Sequence, residues 1–278
     1  MHLRDATIHD LPAITALLKD ANDTPYDLAR VAREKCFEAG LSRSPRTIVA
    51  VEGDDPLGLI TATRGAIRLI AVRRDRRREG IATRLLTALE SPRLVAFGSP
   101  GNYFLPGVPK RDAGTLAFFE SHAFAAESEA INLVIPLVHN ERIPAEPPPE
   151  TVRPRLEDRD EIVAFVRRAF GDAWAFEAAL AWHNDPPTIA LAHNDRGEPI
   201  GFAAWEANNR GLGFFGPMGV VEAARGSGLG RDLLLAALVD LRGRGHAEAT
   251  ISWAAIPEFY ARAAGARPGL AMVRMVRF

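Results

Sequence analysis

Two short stretches of this sequence combine closely spaced glycines with arginine, a composition suited to holding a phosphate group. Residues 216–231 read GPMGVVEAARGSGLGR and place Gly226, Gly228 and Gly230 just after Arg225. Glycine lets a backbone approach a bulky anion, because it has no Cβ and readily adopts positive φ. A helix that begins at Gly230 or Arg231 would point several unpaired N–H groups at the same spot. The stretch therefore predicts a phosphate or pyrophosphate site.

The same arrangement occurs in the first half of the chain with the same internal spacing. The matching residues, all 148 positions apart, are Val72 and Val220, Arg77 and Arg225, Gly80 and Gly228, Ala82 and Gly230, and Leu85 and Leu233. Solenoid repeats have periods of roughly 20–50 residues, so a repeat of this length indicates duplicated domains. We call residues 77–82 glycine turn 1 and residues 225–230 glycine turn 2.

These residues resemble the signature of the GNAT superfamily of acyl-CoA N-acyltransferases. In that signature a strand is followed by Arg or Gln, two residues, Gly, one residue, and Gly or Ala. The chain carries it as Arg77-Arg78-Glu79-Gly80-Ile81-Ala82 and as Arg225-Gly226-Ser227-Gly228-Leu229-Gly230. The resemblance covers most of the chain as two tandem copies, a plan similar to that of mycothiol-synthase-like proteins. It implies an α/β (α+β) fold of two tandem GNAT domains, each with a mixed, mostly antiparallel sheet flanked by helices.

The resemblance also implies a coenzyme A site, with acetyl-CoA as the donor. In the second copy, strand residues Met218, Gly219, Val220 and Val221 would pair with the pantetheine arm. The pyrophosphate would meet the turn that follows, which consists of Arg225, Gly226, Ser227, Gly228, Leu229, Gly230 and Arg231. The corresponding residues of the first copy are Ala71, Val72, Arg77, Arg78, Glu79, Gly80, Ile81 and Ala82.

One proton donor is implied in the same way. GNAT enzymes commonly carry an aromatic-Tyr pair in a late helix, where the hydroxyl serves as general acid to the departing CoA thiolate. The second copy has Phe259-Tyr260, with one residue more than usual before Gly265. Tyr260 is the candidate acid, since a phenol of pKa ~10 can protonate a thiolate of similar basicity; a packing tyrosine is the alternative. The first copy has Phe118-Phe119, without a proton to give, so the second copy is expected to be catalytic.

A general base is less clearly marked. An amine must lose its proton before it attacks a thioester, and a carboxylate or a water chain usually receives that proton. Glu206, at the end of a strand in the second copy, is the candidate by position. A solvated glutamate at a strand end is the alternative interpretation.

Glycine turn 1 and the residues before it contain Arg73, Arg74, Arg76, Arg77 and Arg78. Guanidinium groups suit the phosphates of coenzyme A, and a solvated basic loop is the alternative for the first three. A nucleic-acid patch is a third interpretation, but no aromatic residues interleave.

Composition excludes several classes of site. The chain has 278 residues, a formal net charge of −1 and one cysteine, Cys36, which we interpret as a small buried residue. No Cys/His cluster or HExxH pattern occurs, so no metal site is expected. The charge gives no bias toward nucleic acid, and no apolar stretch approaches membrane-spanning length. We expect a cytoplasmic protein without nucleic-acid or membrane partners, and the resemblance implies a small-molecule or peptide amine as acceptor.

The domain limits follow from a proline-rich segment. Residues 139–154 read HNERIPAEPPPETVRP, which favours an extended spacer. We predict an N-terminal domain at 1–139, a linker at 140–150 and a C-terminal domain at 151–278. Within the first domain we expect a helix over 27–39 and an irregular loop over 99–107 that could carry binding groups.

Three other functions are alternatives to the acyltransferase. Gly226, Gly228 and Gly230 are similar to a dinucleotide fingerprint of an oxidoreductase, but Arg231 stands where its last Gly or Ala is needed. A P-loop would need Gly-Lys-Ser/Thr, which follows neither turn. A non-catalytic acyl-CoA-binding or sensor protein would use the duplication for architecture alone.

Overall fold

The computed structural model describes residues 1–41, 44–63, 65–91, 93–98 and 101–278. The chain forms two compact units: unit 1 comprises Met1–Ala130 and Met272–Phe278, and unit 2 comprises Ile131–Ala271. The domain limits predicted from the sequence stay a proposal. Of the irregular loop predicted at 99–107, Ser99 and Pro100 lie outside the described residues. No helix in the described part of the chain is long and apolar enough to span a membrane.

Unit 1 is built around a mixed sheet. Its elements in chain order are β1 (His2–Asp5), α1 (Leu11–Ala21), α2 (Ala32–Phe37), β2 (Arg46–Glu52), β3 (Asp55–Thr63), β4 (Ala66–Val72), α3 (Ile81–Thr87), β5 (Leu94–Ala96), β6 (Val108–Pro109), α4 (Ala113–Ser121) and the start of β7 (Ala125–Pro136). The sheet order is β1-β2-β3-β4-β5, completed by residues 272–277 of the final strand β12 (Arg267–Arg277). All neighbouring pairs are antiparallel except β4 and β5, which are parallel.

Unit 2 repeats the plan. Its elements are residues 131–136 of β7, α5 (Arg159–Phe170), α6 (Asp172–Leu180), β8 (Ile189–His193), β9 (Pro199–Trp205), β10 (Phe214–Val220), α7 (Leu229–Gly243), β11 (Glu248–Ile251), α8 (Pro257–Ala264) and residues 267–271 of β12. The sheet order is β7-β11-β10-β9-β8. Only β10 and β11 are parallel. Mixed, mostly antiparallel sheets with helices in both units confirm the predicted fold class.

Apolar spacing explains why the helices lie where they do. In α1 the buried residues are Ile14, Leu17, Leu18 and Ala21, which fall on one face at the helical period. The long α7 buries leucines and alanines from Leu233 to Leu241 in the core of unit 2, with Trp205 and Ile251. This packing fixes the start of α7, and hence glycine turn 2, against the end of β10.

One local prediction differs from the structure. The helix expected over 27–39 is only Ala32–Phe37, because Asp27 and its neighbours form turns in which the Asp27 side chain accepts from the Arg30 N–H at 3.2 Å. Cys36 in that helix is buried, as interpreted. The residues between β7 and α5 form one isolated bridge, Val152 to Leu191, and a single-turn helix at Leu156–Asp158.

Candidate active site

Two adjacent strands of unit 2 separate part-way along their length. Strands β10 and β11 pair only at Phe214 with Thr250 and at Phe215 with Ile251. Immediately after Phe215 the register of β10 against β9 shifts by one residue, which marks a β-bulge at Gly216 and Pro217. From there to Val220, strand β10 pairs with β9 on one edge only. The edge that faces away from β9 therefore offers backbone groups to a ligand.

Glycine turn 2 lies at the end of this open edge. A single-turn helix at Glu222–Ala224 leads into it, and α7 begins at Leu229. Gly226 and Gly228 have φ of +84° and +97°, and a Cβ built on either would meet no atom within 4 Å. The unpaired N–H groups, without an acceptor among the described residues, are those of Gly226, Ser227, Gly228, Leu229 and Gly230. Consecutive free N–H groups at the start of a helix, here one of 15 residues, are the arrangement that generally suits an anion.

Arg225 lies folded against the strand that precedes the turn. Its Nε donates to the Val220 carbonyl at 3.4 Å, and the residue is exposed. Arg225 forms no ion pair with any described residue. Its two Nη groups are therefore available to a phosphate beside the turn.

Glycine turn 1 has the same backbone shape. Arg78 and Gly80 have φ of +71° and +77°, at the positions of Gly226 and Gly228. Arg77 Nε donates to the Val72 carbonyl at 3.3 Å, the counterpart of the Arg225 contact. The two glycine turns therefore repeat both the backbone conformation and this arginine hydrogen bond.

Arg77 of turn 1 and the arginines that precede the turn, unlike Arg225, pair with carboxylates of unit 1. Arg78 is exposed and forms no ion pair with any described residue. Arg77 Nη2 lies 2.9 Å from Asp23 Oδ2 and donates to the Ala21 carbonyl at 3.0 Å. Arg74 Nη2 lies 2.6 Å from the other oxygen of Asp23. The remaining ion pairs are Arg73 with Asp55 and Asp75, and Arg76 with Glu52 and Glu79.

The bulge residues of the two units differ in size. In unit 1 the register shift of β4 against β3 falls at Arg68, the position equivalent to Gly216. Arg68 is 2% exposed and donates to the Glu38 carbonyl at 2.8 Å, while its Nη2 has no partner among the described residues. At Gly216, a Cβ would meet no atom within 4 Å. Unit 1 therefore has a buried arginine at the bulge position where unit 2 has a glycine.

Tyr260 packs where the two strands of unit 2 separate. Its ring lies edge-on to Phe215, the last residue of β10 paired with β11, at a centroid distance of 6.3 Å. The side chain is 9% exposed, and its hydroxyl has no hydrogen-bond partner among the described residues. Burial raises the pKa of Tyr260 to about 12, so the hydroxyl keeps its proton at neutral pH.

Helix α8 accommodates the additional residue between Tyr260 and Gly265 by a wider last turn. In α4 the Phe124 N–H donates to the Phe119 carbonyl, five residues back, at 3.0 Å. In α8 the Ala266 N–H donates to the Tyr260 carbonyl, six residues back, at 3.3 Å. Tyr260 therefore takes the backbone position of Phe119 although the spacing to the glycine differs.

Comparison with known proteins agrees with this geometry. The family model described as acetyltransferase (GNAT) family matches residues 11–124 and again residues 150–265. The chain belongs to the GNAT family. It is a tandem GNAT protein and an enzyme of the acyltransferase class. A search of curated proteins finds no match.

Solved structures of other GNAT proteins share the fold over nearly the whole chain. The glucosamine N-acetyltransferase region of a fungal multi-domain GH3 β-N-acetylglucosaminidase superposes with a TM-score of 0.77 at 19% identity over 99% of this chain, which spans 38% of that protein. A tandem GNAT protein from the clavulanic acid biosynthesis pathway gives 0.71 at 17%, over 99% and 97% of the two chains. A GCN5-related N-acetyltransferase from Sphaerobacter thermophilus gives 0.69 at 18%, over 99% and 95%.

Glu206, the candidate base, is buried in this GNAT chain and 4% exposed. Its carboxylate accepts from the backbone N–H groups of Gly211 and Gly213 and lies 3.5 Å from His246 Nε2. These contacts hold the loop between β9 and β10 and favour a structural role. The solvated alternative does not describe this residue, and its role as a base stays a prediction.

Aromatic side chains of α5 and α6 cover β10 beyond the bulge. The ring of Phe170 lies against Gly219, where a Cβ would be 2.6 Å from Phe170 Cε1. Trp174 packs on Phe170 at a centroid distance of 5.6 Å and stays 38% exposed. Trp182 joins the neighbouring core cluster. Of these three aromatic side chains, Trp174 is the most exposed to solvent.

Sequence reasoning missed Asn132. It lies within the apolar strand β7 and is fully buried. Its Oδ1 accepts from Ser252 Oγ at 3.2 Å and from the Trp253 N–H at 3.3 Å. Asn132 thereby holds the chain just beyond β11, where β10 and β11 separate. A polar residue inside an apolar run was the available signal, because buried amides need partners.

Proposed function

We propose that unit 2 transfers an acetyl group from acetyl-CoA to an amine. The observation that carries this proposal is the continuity of three features along β10. The bulge at Gly216 opens the strand edge, the turn at Gly226–Gly230 offers free N–H groups at its end, and Tyr260 packs at its start. GNAT enzymes in general use acyl-CoA donors, and a thiolate-protonating group beside the strand separation suits that chemistry.

The residues present fit the phosphate end of acetyl-CoA. Positive φ at Gly226 and Gly228 turns successive N–H groups to one side, and the absence of Cβ atoms leaves room for the anion. Arg225 adds a guanidinium that forms no ion pair with any described residue. Residues Met218–Val221 and Arg231 complete the proposed contact region at its two ends.

Bound acetyl-CoA would supply a thioester carbon open to attack by a neutral amine. The backbone of β10 beyond the bulge would hold the pantetheine arm as an added strand and aim an N–H at the thioester carbonyl. Tyr260 would hold a proton at its hydroxyl for the leaving sulfur. A covalent enzyme intermediate is not part of the proposal, and burial raises the pKa of Cys36 to about 11, which makes that thiol a poor nucleophile.

The acceptor is proposed as a small-molecule or peptide amine. Its proton would pass to water or to a carboxylate, and Glu206 would serve only if its loop contacts were released. Trp174, on the helix that covers β10, is the proposed aromatic wall of the acceptor site. One related structure is described as a glucosamine N-acetyltransferase region, but the fold alone does not determine the acceptor.

Turnover on an amine panel tests this function. The full chain is incubated with acetyl-CoA and diverse primary amines, and release of free CoA thiol is followed. Amine-dependent thiol release, lost in Tyr260→Phe, is the expected result. Tight acetyl-CoA binding without amine-dependent release would instead support the sensor protein.

A further inference from the structure

Several matched positions in and around the two glycine turns have a charged residue in the first copy and a small residue in the second. Four such pairs lie in the turns, at the bulge or beside the turn arginine. These pairs, all 148 positions apart, are Asp23 and Gly171, Arg68 and Gly216, Arg78 and Gly226, and Glu79 and Ser227. Since the backbone shape of the turns is the same, these side chains carry the difference between them.

Asp23 forms an ion pair with the guanidinium of Arg77 in turn 1. Its two oxygens lie 2.9 Å from Arg77 Nη2 and 2.6 Å from Arg74 Nη2. Burial alone would raise the pKa of Asp23, but the hydrogen bonds from Arg77 and Arg74 lower it on balance. Arg77 thus meets a carboxylate of its own unit, whereas Gly171 leaves Arg225 without one.

Glu79 places a second carboxylate inside the turn. It stands at the position of Ser227, one residue before Gly80, and its side chain is 47% exposed. Arg76 Nε lies 3.0 Å from Glu79 Oε2, so Arg76 also pairs with a carboxylate of unit 1. A phosphate entering turn 1 would displace these pairs and approach an anion.

Arg68 marks the other end of the same strand edge, at the register shift of β4. Its buried guanidinium donates to the Glu38 carbonyl, whereas a Cβ at the equivalent Gly216 would meet no atom within 4 Å. A strand-like ligand along β4 would reach a charged residue at the bulge. The unit 1 edge therefore carries charged side chains at both ends, where unit 2 has small residues.

We propose that unit 1 is closed to acyl-CoA by these side chains, so that the chain binds one acyl-CoA, in unit 2. This inference rests on the proposed function of unit 2. It assigns Asp23 and Glu79 as the residues that exclude the cofactor from turn 1. The duplicated turn then keeps the backbone shape of a phosphate site, while Arg77 and Arg76 pair with carboxylates of the same unit.

Titration calorimetry of the full chain with CoA tests the stoichiometry. One CoA per chain is expected, and Gly228→Trp should abolish binding altogether. Two CoA per chain, with one retained in Gly228→Trp, would overturn the inference while leaving the proposed function intact. If no CoA binds to the unmodified chain, the proposed function itself fails.

The double variant Asp23→Gly/Glu79→Ser installs the residues of the second copy. We expect a second, weaker CoA site, so that the stoichiometry rises from one to two. The control Asp75→Ala removes a carboxylate that pairs with Arg73 and not with Arg77, and should stay at one. A folded double variant, judged by circular dichroism, that still binds one CoA would overturn the assignment of Asp23 and Glu79.

Discussion

Replacing Tyr260 by phenylalanine should separate its chemical role from its structural one. The hydroxyl has no partner among the described residues, so Tyr260→Phe removes no internal hydrogen bond. We expect the free energy of unfolding at pH 8 to change by less than about 1 kcal/mol. Loss of the general acid should lower kcat by roughly 10²–10⁴-fold, while the Kd for acetyl-CoA stays within about twofold.

The alkaline stability of the same variant tests the burial of the phenol. Folded Tyr260 has a pKa of about 12, against about 10 in the unfolded chain. The unfolded state therefore loses its proton first, and stability falls as pH rises from 10 to 12. A pKa difference of two units corresponds to about 2.7 kcal/mol of unfolding free energy. Tyr260→Phe has no hydroxyl to titrate and should not lose this contribution as the pH rises.

Chemical denaturation at pH 9 and pH 12 measures this difference, with Tyr26→Phe as a control for removing a tyrosine elsewhere. The decrease in unfolding free energy should be smaller in Tyr260→Phe than in the unmodified chain and in the control. Equal decreases in all three would refute the buried, protonated state. An unchanged kcat in Tyr260→Phe would refute the role as acid.

Two further substitutions test the structure around β10. Glu206→Ala leaves the N–H groups of Gly211 and Gly213 without their carboxylate and should cost about 2–5 kcal/mol of unfolding free energy. If Glu206 is structural, Glu206→Gln should leave the pH profile of kcat unchanged. If the acidic limb of that profile is lost instead, Glu206 acts as the base. Gly219→Ala drives a Cβ to within 2.6 Å of the Phe170 ring and should cost about 1–3 kcal/mol in thermal unfolding. Gly243→Ala, with nothing within 4 Å of its Cβ, is the neutral control, and equal melting temperatures for both would contradict the packing at Gly219.

The repeat and the glycine turns could be predicted from the sequence because their information is local. Spacing alone predicts the turn after Val220 and a helix start that lies within two residues of the observed Leu229. Family resemblance placed Tyr260, and the wider last turn of α8 shows why its spacing differs. The same resemblance implied the fold class, which the structure confirms.

Contacts between distant residues could not be predicted in this way. Asp23 reaches Arg77 across 54 positions, and nothing in either local pattern indicates the pair. Glu206 reads as a strand end in the sequence, yet the returning loop at Gly211–Gly213 buries it. Residues 272–277 complete the sheet of unit 1 although they lie at the far end of the chain, because strand pairing is set by tertiary structure.

The central claim is that glycine turn 2 holds the phosphate end of acetyl-CoA. The most direct measurement is the Kd for acetyl-CoA of the full-length Arg225→Glu/Gly228→Trp variant, with Arg77→Glu/Gly80→Trp as the matched change in turn 1. Both variants introduce the same charge and a bulky residue at a positive φ. We predict that binding is lost, by at least about 100-fold, only when turn 2 is changed. Unchanged affinity in the turn 2 variant, with its fold intact, would contradict the claim.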